Sequence, residues 1–445
     1  MGPYPIGYDT IAAYVPAMLD WGSGNPYGFT PLIGGWLVYA ILGMTYWTTR
    51  VDPVLITKIF APMAYGSLGF SLYFFARRSL SWTGNRSIFL VVLGSTYFVL
   101  MRISWDLFRN MLGLSLLMIT LTLGQNIETR RKALTFALFA WLVTTAHLLV
   151  AAILISLLVV DAVKTPINRV RKILFSTPAL AQFFLSLVAI SSQGVVLITE
   201  GGSNINLLNI YVFPLYIFFP LLPLAVLGLR KLSYGPLKRW LLICCLGLLV
   251  AGTPISISSG IVTADRWTLM MAIPLTIYAA KIPQSTWHLS RPRFPRILWA
   301  PWFLVMLVLG GAYLVLPAQM AFPYYRFVAP TSMLQSTVPL SDSRDLALAI
   351  AWLSTNIQPG AVIMAHHAMY GWVREYFRGG NTVLGFPPTV NLDEALQQTS
   401  QQGYSKIYTV WWASGLGWYG ITIPGEFVPV HSEGQMSVYY ANVHA

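Results

Sequence analysis

Few residues in this chain can do acid–base or ionic chemistry, and most of them stand at the ends of apolar runs. Asp9 lies in PYPIGYDTIAAYVPAML, an aromatic, proline-rich stretch that leads into an amphipathic one. A carboxylate at a lipid–water boundary is partly stripped of water and becomes a better general base. The same position also suits a helix N-cap, with Asp9 or Thr10 just before IAAYV. Arg102, Asp106 and Arg109 follow in MRISWDLFRNMLGL at helical spacing. On one continuous helix they share a face with Asn110, and an acid between two guanidiniums can order a site for an anionic phosphate. A local ion pair capping the next helix accounts for the same spacing. His147 marks a turn in TTAHLLV, and Arg266 opens an apolar segment beside Asp265. A histidine at such a junction has a structural reading as well as a functional one. An arginine at a membrane boundary is a functional candidate by default, although Asp265 offers it a local partner. Asp20, Asp52 and Glu200 read as ordinary solvated residues.

Other signals are weaker. His366 and His367 end a predicted strand, where neighbours point to opposite faces, so a shared metal is disfavoured. No HExxH, CxxC, GxSxG or glycine-rich phosphate motif occurs. Trp411 and Trp412, followed by ASGLGWYG, offer a sugar-stacking surface, with core packing or membrane contact the simpler account.

The elements that must position these residues are membrane spans. The chain has 445 residues, 56% of them hydrophobic and 10% charged, with mean hydropathy +0.62. A soluble domain carries about 25% charged residues. So little charge excludes a soluble enzyme, a disordered chain and a disulfide scaffold, and Cys244 and Cys245 are adjacent and cannot staple a fold. The net charge of +13 speaks first of topology rather than of nucleic acid. Apolar runs near 53–76, 87–101, 107–125, 133–146, 148–163, 173–198, 207–229, 240–260, 267–280 and 297–317 predict about ten transmembrane helices.

Eighteen of the 28 Lys and Arg residues fall in every second loop. The positive-inside rule puts those loops in the cytoplasm and the turns at 102–106, His147, 199–206 and 261–266 outside. Anionic lipid is their natural partner. Parity then makes 1–52 an outer segment, with 32–48 as an interfacial helix, and calls for a first transmembrane helix ahead of residue 1. Residues 53–317 form the transmembrane domain. Residues 318–445 carry five basic and seven acidic residues and alternate helix (342–356, 391–402) with strand (361–365, 406–411), as a small extracytoplasmic α/β domain does.

The order of features resembles a family: an early Asp in PYPIGYDT, the Pro-Leu helix TPLIGGWLVYAIL, a span ending in Arg77-Arg78, a second acid in SWDLFRN, many further spans and a C-terminal α/β domain. It is similar to the GT-C superfamily of integral membrane glycosyltransferases, especially the prokaryotic protein mannosyltransferase and aminoarabinose transferase type. That resemblance implies a multi-pass protein of the cell membrane that uses a polyprenyl-phosphate or dolichyl-phosphate sugar donor at the outer face, in glycosylation of the cell envelope. Asp9 would be the general base, with Asp106 next in line, and inversion would follow. Arg102, Arg109 and Arg266, with His147, would hold the donor's lipid phosphate. The acceptor would be a lipid, glycan or protein. No metal ligands are assigned; a divalent cation is compatible, and nucleic acid is not a partner. The Trp-Trp-Asp-Tyr-Gly motif of the related oligosaccharyltransferases is not matched by AHHAMYGW at 365–372, which argues against whole-glycan transfer to asparagine. Two readings stand beside this one: a lipid or polysaccharide transporter or scaffold, and a catalytically inactive GT-C homologue.

Overall fold

The computed structural model describes residues 3–24, 35–164, 169–192, 207–251, 264–286, 301, 304–309, 311–312, 336–386, 390–417 and 420–443. Several expectations therefore lie outside the described residues: the loop holding Glu200, most of the 297–317 span, the basic residues Arg291, Arg293 and Arg296, and the Asp265 side chain. The chain divides into two compact units. One gathers 1–27, 42–58 and 334–445; the other holds 28–41 and 59–333. The sequence segments 1–52, 53–317 and 318–445 are cut differently from these units.

The first unit is built on a mixed five-stranded sheet. Its strands are β1 (Val362–His366), β2 (Val383–Phe386), β3 (Lys406–Trp412), β4 (Val428–Glu433) and β5 (Met436–Asn442), in the order β2-β1-β3-β5-β4. β1 pairs parallel with β2 and β3, while β5 pairs antiparallel with β3 and β4. All five residues of β1 are buried, as a central parallel strand requires. β4 is an edge strand, which is where Pro429 is tolerated, and the register shifts between Pro429 and His431. The predicted helices and strands of this domain appear at Ser343–Asn356, Leu392–Gln401, β1 and β3. Trp411 and Trp412 are buried, so they are core and not a sugar platform. His367 is not in the strand: it opens a helix, His367–Tyr376, that His366 caps by accepting from the Ala368 amide.

A π-helix at Thr10–Tyr14 and α1 (Val15–Gly22) belong to the same unit. The backbone of the 367–376 helix passes so close to them that a Cβ at Gly371 would collide with the Ile11 carbonyl.

The second unit is helical. In chain order it contains the first turns of α2 (Trp36–Thr49), up to Ile41, and α3 (Pro53–Arg78) beyond Lys58, then α4 (Gly84–Thr96), α5 (Phe98–Asp106), α6 (Phe108–Leu123), α7 (Arg130–Ala146), α8 (Leu148–Lys164), α9 (Arg169–Ser192), α10 (Leu207–Phe218), α11 (Leu222–Lys231), α12 (Gly235–Ala251) and α13 (Ala264–Thr286). The three remaining helices of the first unit are α14 (Ser343–Asn356), α15 (His367–Tyr376) and α16 (Leu392–Gln401). Among the described residues, α3 is long and apolar enough to cross a membrane, and the number rises to three if two bent pairs each count as one span. Those pairs are α4 with α5, bent by 67°, and α10 with α11, bent by 86°. Two of the expected spans, 87–101 and 207–229, are thus broken helices.

Proline explains the second break. Pro220 has no N–H to continue α10, and the Leu221 amide turns back to the Phe218 carbonyl at 2.8 Å. The Ile217 carbonyl is then taken by the Tyr97 hydroxyl at 2.5 Å. Tyr97 is itself the residue at which α4 gives way to α5, with an extended backbone at φ −77°, ψ 121°.

The basic loops meet at one end of this unit. The Gln125 amide donates to the Tyr234 hydroxyl, Arg171 donates to the Glu128 carbonyl, Ser79 bonds Thr122, and Lys281 lies over the Trp82 ring. Loops that alternate in sequence converge in space, as the charge pattern requires of up-and-down helices.

Candidate active site

The end of the helical unit away from those loops holds five of the six candidates. Arg102 and Asp106 are wholly buried on α5 and form an ion pair with each other. The expected single face for Arg102, Asp106 and Arg109 does not exist. Leu107, at φ −83°, ψ 53°, ends α5, and Arg109 starts the first turn of α6. The pair therefore braces a helix corner, and Arg109 is released to a different direction.

Arg109 runs along Gly35 and over the Tyr39 ring, with its Cζ 5.5 Å from the ring centre. Gly35 is required here twice. Its φ is +98°, and a Cβ would stand 2.8 Å from the Arg109 Cδ. Its amide donates to the Thr145 carbonyl at 3.1 Å, which ties the start of α2 to the end of α7. His147 follows two residues on. It interrupts α7 and α8 with an extended backbone, and its Nδ1 accepts from the Val150 amide at 3.3 Å. The charges of both Arg109 and Arg266 bear on the buried His147 ring, and these two guanidiniums supply the positive charge of the group. Arg266 reaches it from the first turn of α13. A Cβ at Gly113 would meet the His147 Cβ at 3.0 Å, so α6 passes directly behind the ring.

Asn110 neighbours this group. It is 2% exposed, and its Nδ2 has no hydrogen-bond partner among the described residues. A buried amide that is not satisfied is costly, which marks a donor awaiting an acceptor.

Asp9 belongs to the first unit. It occupies the N-cap position of the π-helix without a side-chain cap hydrogen bond, so the capping account of this residue fails. Tyr8 beside it shares a hydrogen bond with His367 Nε2. Asp20, expected to be merely solvated, pairs with Arg374 at 2.7 Å. The 3–24 segment is therefore held by α15 at Tyr8, Ile11 and Asp20. Sequence reading missed this use of α15 because contacts across some 350 residues leave no local pattern. Asp52 caps α3 by accepting from the Leu55 amide at 2.8 Å. Among the described residues no group of three or more His, Cys, Asp or Glu is placed to hold a metal ion.

No protein-family model and no curated protein matches the chain. Solved structures do. The crystal structure of ArnT from Cupriavidus metallidurans bound to undecaprenyl phosphate is similar over 99% of this chain and 96% of that one, with 12% identity and a TM-score of 0.52. The arabinofuranosyltransferase AftD from Mycobacteria is similar over 99% of this chain but 38% of its own, with 11% identity and a TM-score of 0.51. At the level of fold, the resemblance to the GT-C glycosyltransferases is borne out.

Proposed function

We propose that this chain is a GT-C-type glycosyltransferase that moves one sugar from a polyprenyl-phosphate donor to an acceptor hydroxyl. The observation that carries this reading is the convergence of Arg109, His147 and Arg266 from three helix ends in a chain with the fold of ArnT, which was solved with undecaprenyl phosphate. Fixed cations at a low-dielectric boundary suit a lipid phosphate, and they stabilise it most when it leaves with full charge.

Asp9 takes the proton from the acceptor hydroxyl. The freed oxygen attacks the anomeric carbon, the bond from that carbon to the phosphate oxygen breaks, and its electron pair stays on the phosphate. A single displacement inverts the anomeric centre. Arg109 and Arg266 meet the charge on the leaving phosphate, and Asn110 Nδ2 supplies a neutral donor. Arg102 and Asp106 position the α5–α6 corner; a buried, paired carboxylate is a poor base, so Asp106 is the weaker candidate for that role. The helical unit is read as multi-pass, with its basic loops in the cytoplasm and the reaction on the opposite face. The acceptor is a lipid, glycan or protein hydroxyl.

The test is transfer of radiolabelled sugar from a panel of polyprenyl-phosphate donors, in membranes expressing the chain. Asp9→Asn should reduce transfer by roughly 10³-fold or more at unchanged expression, the loss expected of a removed base with its positioning. Arg266→Ala and Arg109→Ala should each lower it about 10²-fold. Chelation in the same assay decides whether a divalent cation takes part. Transfer that survives Asp9→Asn reassigns the base, and no transfer from any donor returns the transporter reading.

A further inference from the structure

A second site lies at the opposite end of the helical unit from the cationic group. A cavity of about 260 Å³ opens there among α6, α7, α8, α9 and the start of α12. At about 30 Å³ per water, it has room for roughly eight or nine waters. Its wall is apolar, with Phe136, Leu154 and Leu157. Its rim is ionic. Asp161 accepts from Lys172 through one carboxylate oxygen, and its other oxygen lies 3.7 Å from Arg239. Two cations thus face one carboxylate, and all three side chains are one-fifth to one-quarter exposed. Tyr234 and Gln125 add a polar edge.

Three further observations narrow the ligand. The rim carries one net positive charge, so the ligand is anionic. The wall is apolar, so the ligand carries hydrocarbon next to its charge. The helices that bear Asp161 and Lys172 also expose Val159 (55%), Val163 (70%), Val170 (79%) and Leu174 (64%) on their faces turned away from the rim, apolar surface that lipid tails would cover. The loops around it are the basic ones, and basic pockets between helices on that side of a membrane suit lipid phosphates.

We infer that this cavity binds the phosphate headgroup of an anionic membrane lipid, with Lys172 and Arg239 as its cationic ligands and Asp161 as the internal anion that the headgroup displaces. This site is independent of the transfer reaction, and its test does not use activity.

The full chain is purified, delipidated and titrated with dioleoylphosphatidylglycerol, dioleoylphosphatidylcholine or inorganic phosphate, with bound lipid counted by native mass spectrometry. The wild type should retain one phosphatidylglycerol in at least ten-fold preference to phosphatidylcholine. Lys172→Ala with Arg239→Ala should abolish that preference. Asp161→Asn should raise it several-fold, because the competing anion is gone; a purely structural ion pair would instead give a weaker, less stable protein with no gain. Arg130→Ala with Arg131→Ala, which removes equal charge from the start of α7 outside the cavity lining, should leave the preference intact. Inorganic phosphate that displaces the lipid at millimolar concentration would reassign the site to a soluble phosphate. The inference is overturned if the cavity variant binds phosphatidylglycerol as the wild type does, or if the α7 variant loses as much. Should the double alanine variant fail to fold, Lys172→Gln alone serves, with a reduced preference expected and an unchanged one counting against the site.

Discussion

Glu375 is 2% exposed on α15, its Oε2 has no hydrogen-bond partner among the described residues, and burial aided by Asp52 pushes its pKa up to about 7. A raised acid is stabilising only while protonated. Its favourable contribution is whole below about pH 4.5 and is lost as pH climbs through 7. His366 and His367 work the other way. Burial lowers both to about 4, so stability present above 6.5 drains away as pH falls toward 4. Glu375→Gln should therefore remove the decline between pH 4.5 and 7 and leave the histidine-driven rise. The gain at pH 8 is at most about 3 kcal/mol. Thermal melts of the full chain from pH 4 to 8 decide it, and an identical pH profile in the variant would sink the assignment. None of this was visible in the sequence. Glu375 looks like any surface acid of a helix until the fold buries it. Asp9, Arg109 and Arg266 were legible because a charge beside an apolar run is rare enough to stand out.

The helices are defined as much by where they stop as by where they run. Apolar runs located most of them within a few residues, but a hydropathy window does not feel a corner. It joined Phe98 to Thr96 and Phe218 to Leu222, where the chain bends by 67° and 86°. Pro220 was visible in the sequence as a possible kink; the break at Tyr97 had no such marker. The two corners support each other, since Tyr97 gives its hydroxyl to the Ile217 carbonyl, which the Leu221 amide leaves open by turning to Phe218, and stacks on Phe218 with ring centres 6.4 Å apart. Tyr97→Phe keeps the ring and removes the donor. It should cost about 1–3 kcal/mol, the penalty for a buried carbonyl left unpaired, read as a lower melting temperature in detergent. Tyr97→Ala should cost more, because the packed ring goes too. A Phe variant as stable as the wild type would mean that the Ile217 carbonyl finds another donor. Close approach matters equally between α11 and α13, where a Cβ at Gly228 would strike the Tyr278 carbonyl. Gly228→Ala should therefore push these helices apart and destabilise the protein, whereas Gly66→Ala, which meets nothing, should not.

At the scale of the whole chain, charge decides which end of the helical unit faces which solvent. The loops at 77–86, 125–132 and 230–239 touch one another, and they hold ten of the 28 Lys and Arg residues. The Arg109, His147 and Arg266 group forms at helix ends of the other parity. In the proposed topology the positive-inside rule keeps the basic end on the cytoplasmic side. The same proposal puts the cationic group on the outer side, where a lipid-linked donor would present its sugar. A cysteine-free background, Cys244→Ser with Cys245→Ser, separates these ends experimentally. Single cysteines at Arg131 and at Ser203, in the 199–206 segment of opposite parity, should react differently with a membrane-impermeant maleimide in intact cells: Ser203→Cys labelled at once, Arg131→Cys only after the membrane is broken. The reverse pattern would move the reaction to the cytoplasmic face, where soluble nucleotide sugars become available and a polyprenyl-phosphate donor loses its rationale. Equal labelling at both positions would break the alternation on which the multi-pass reading depends.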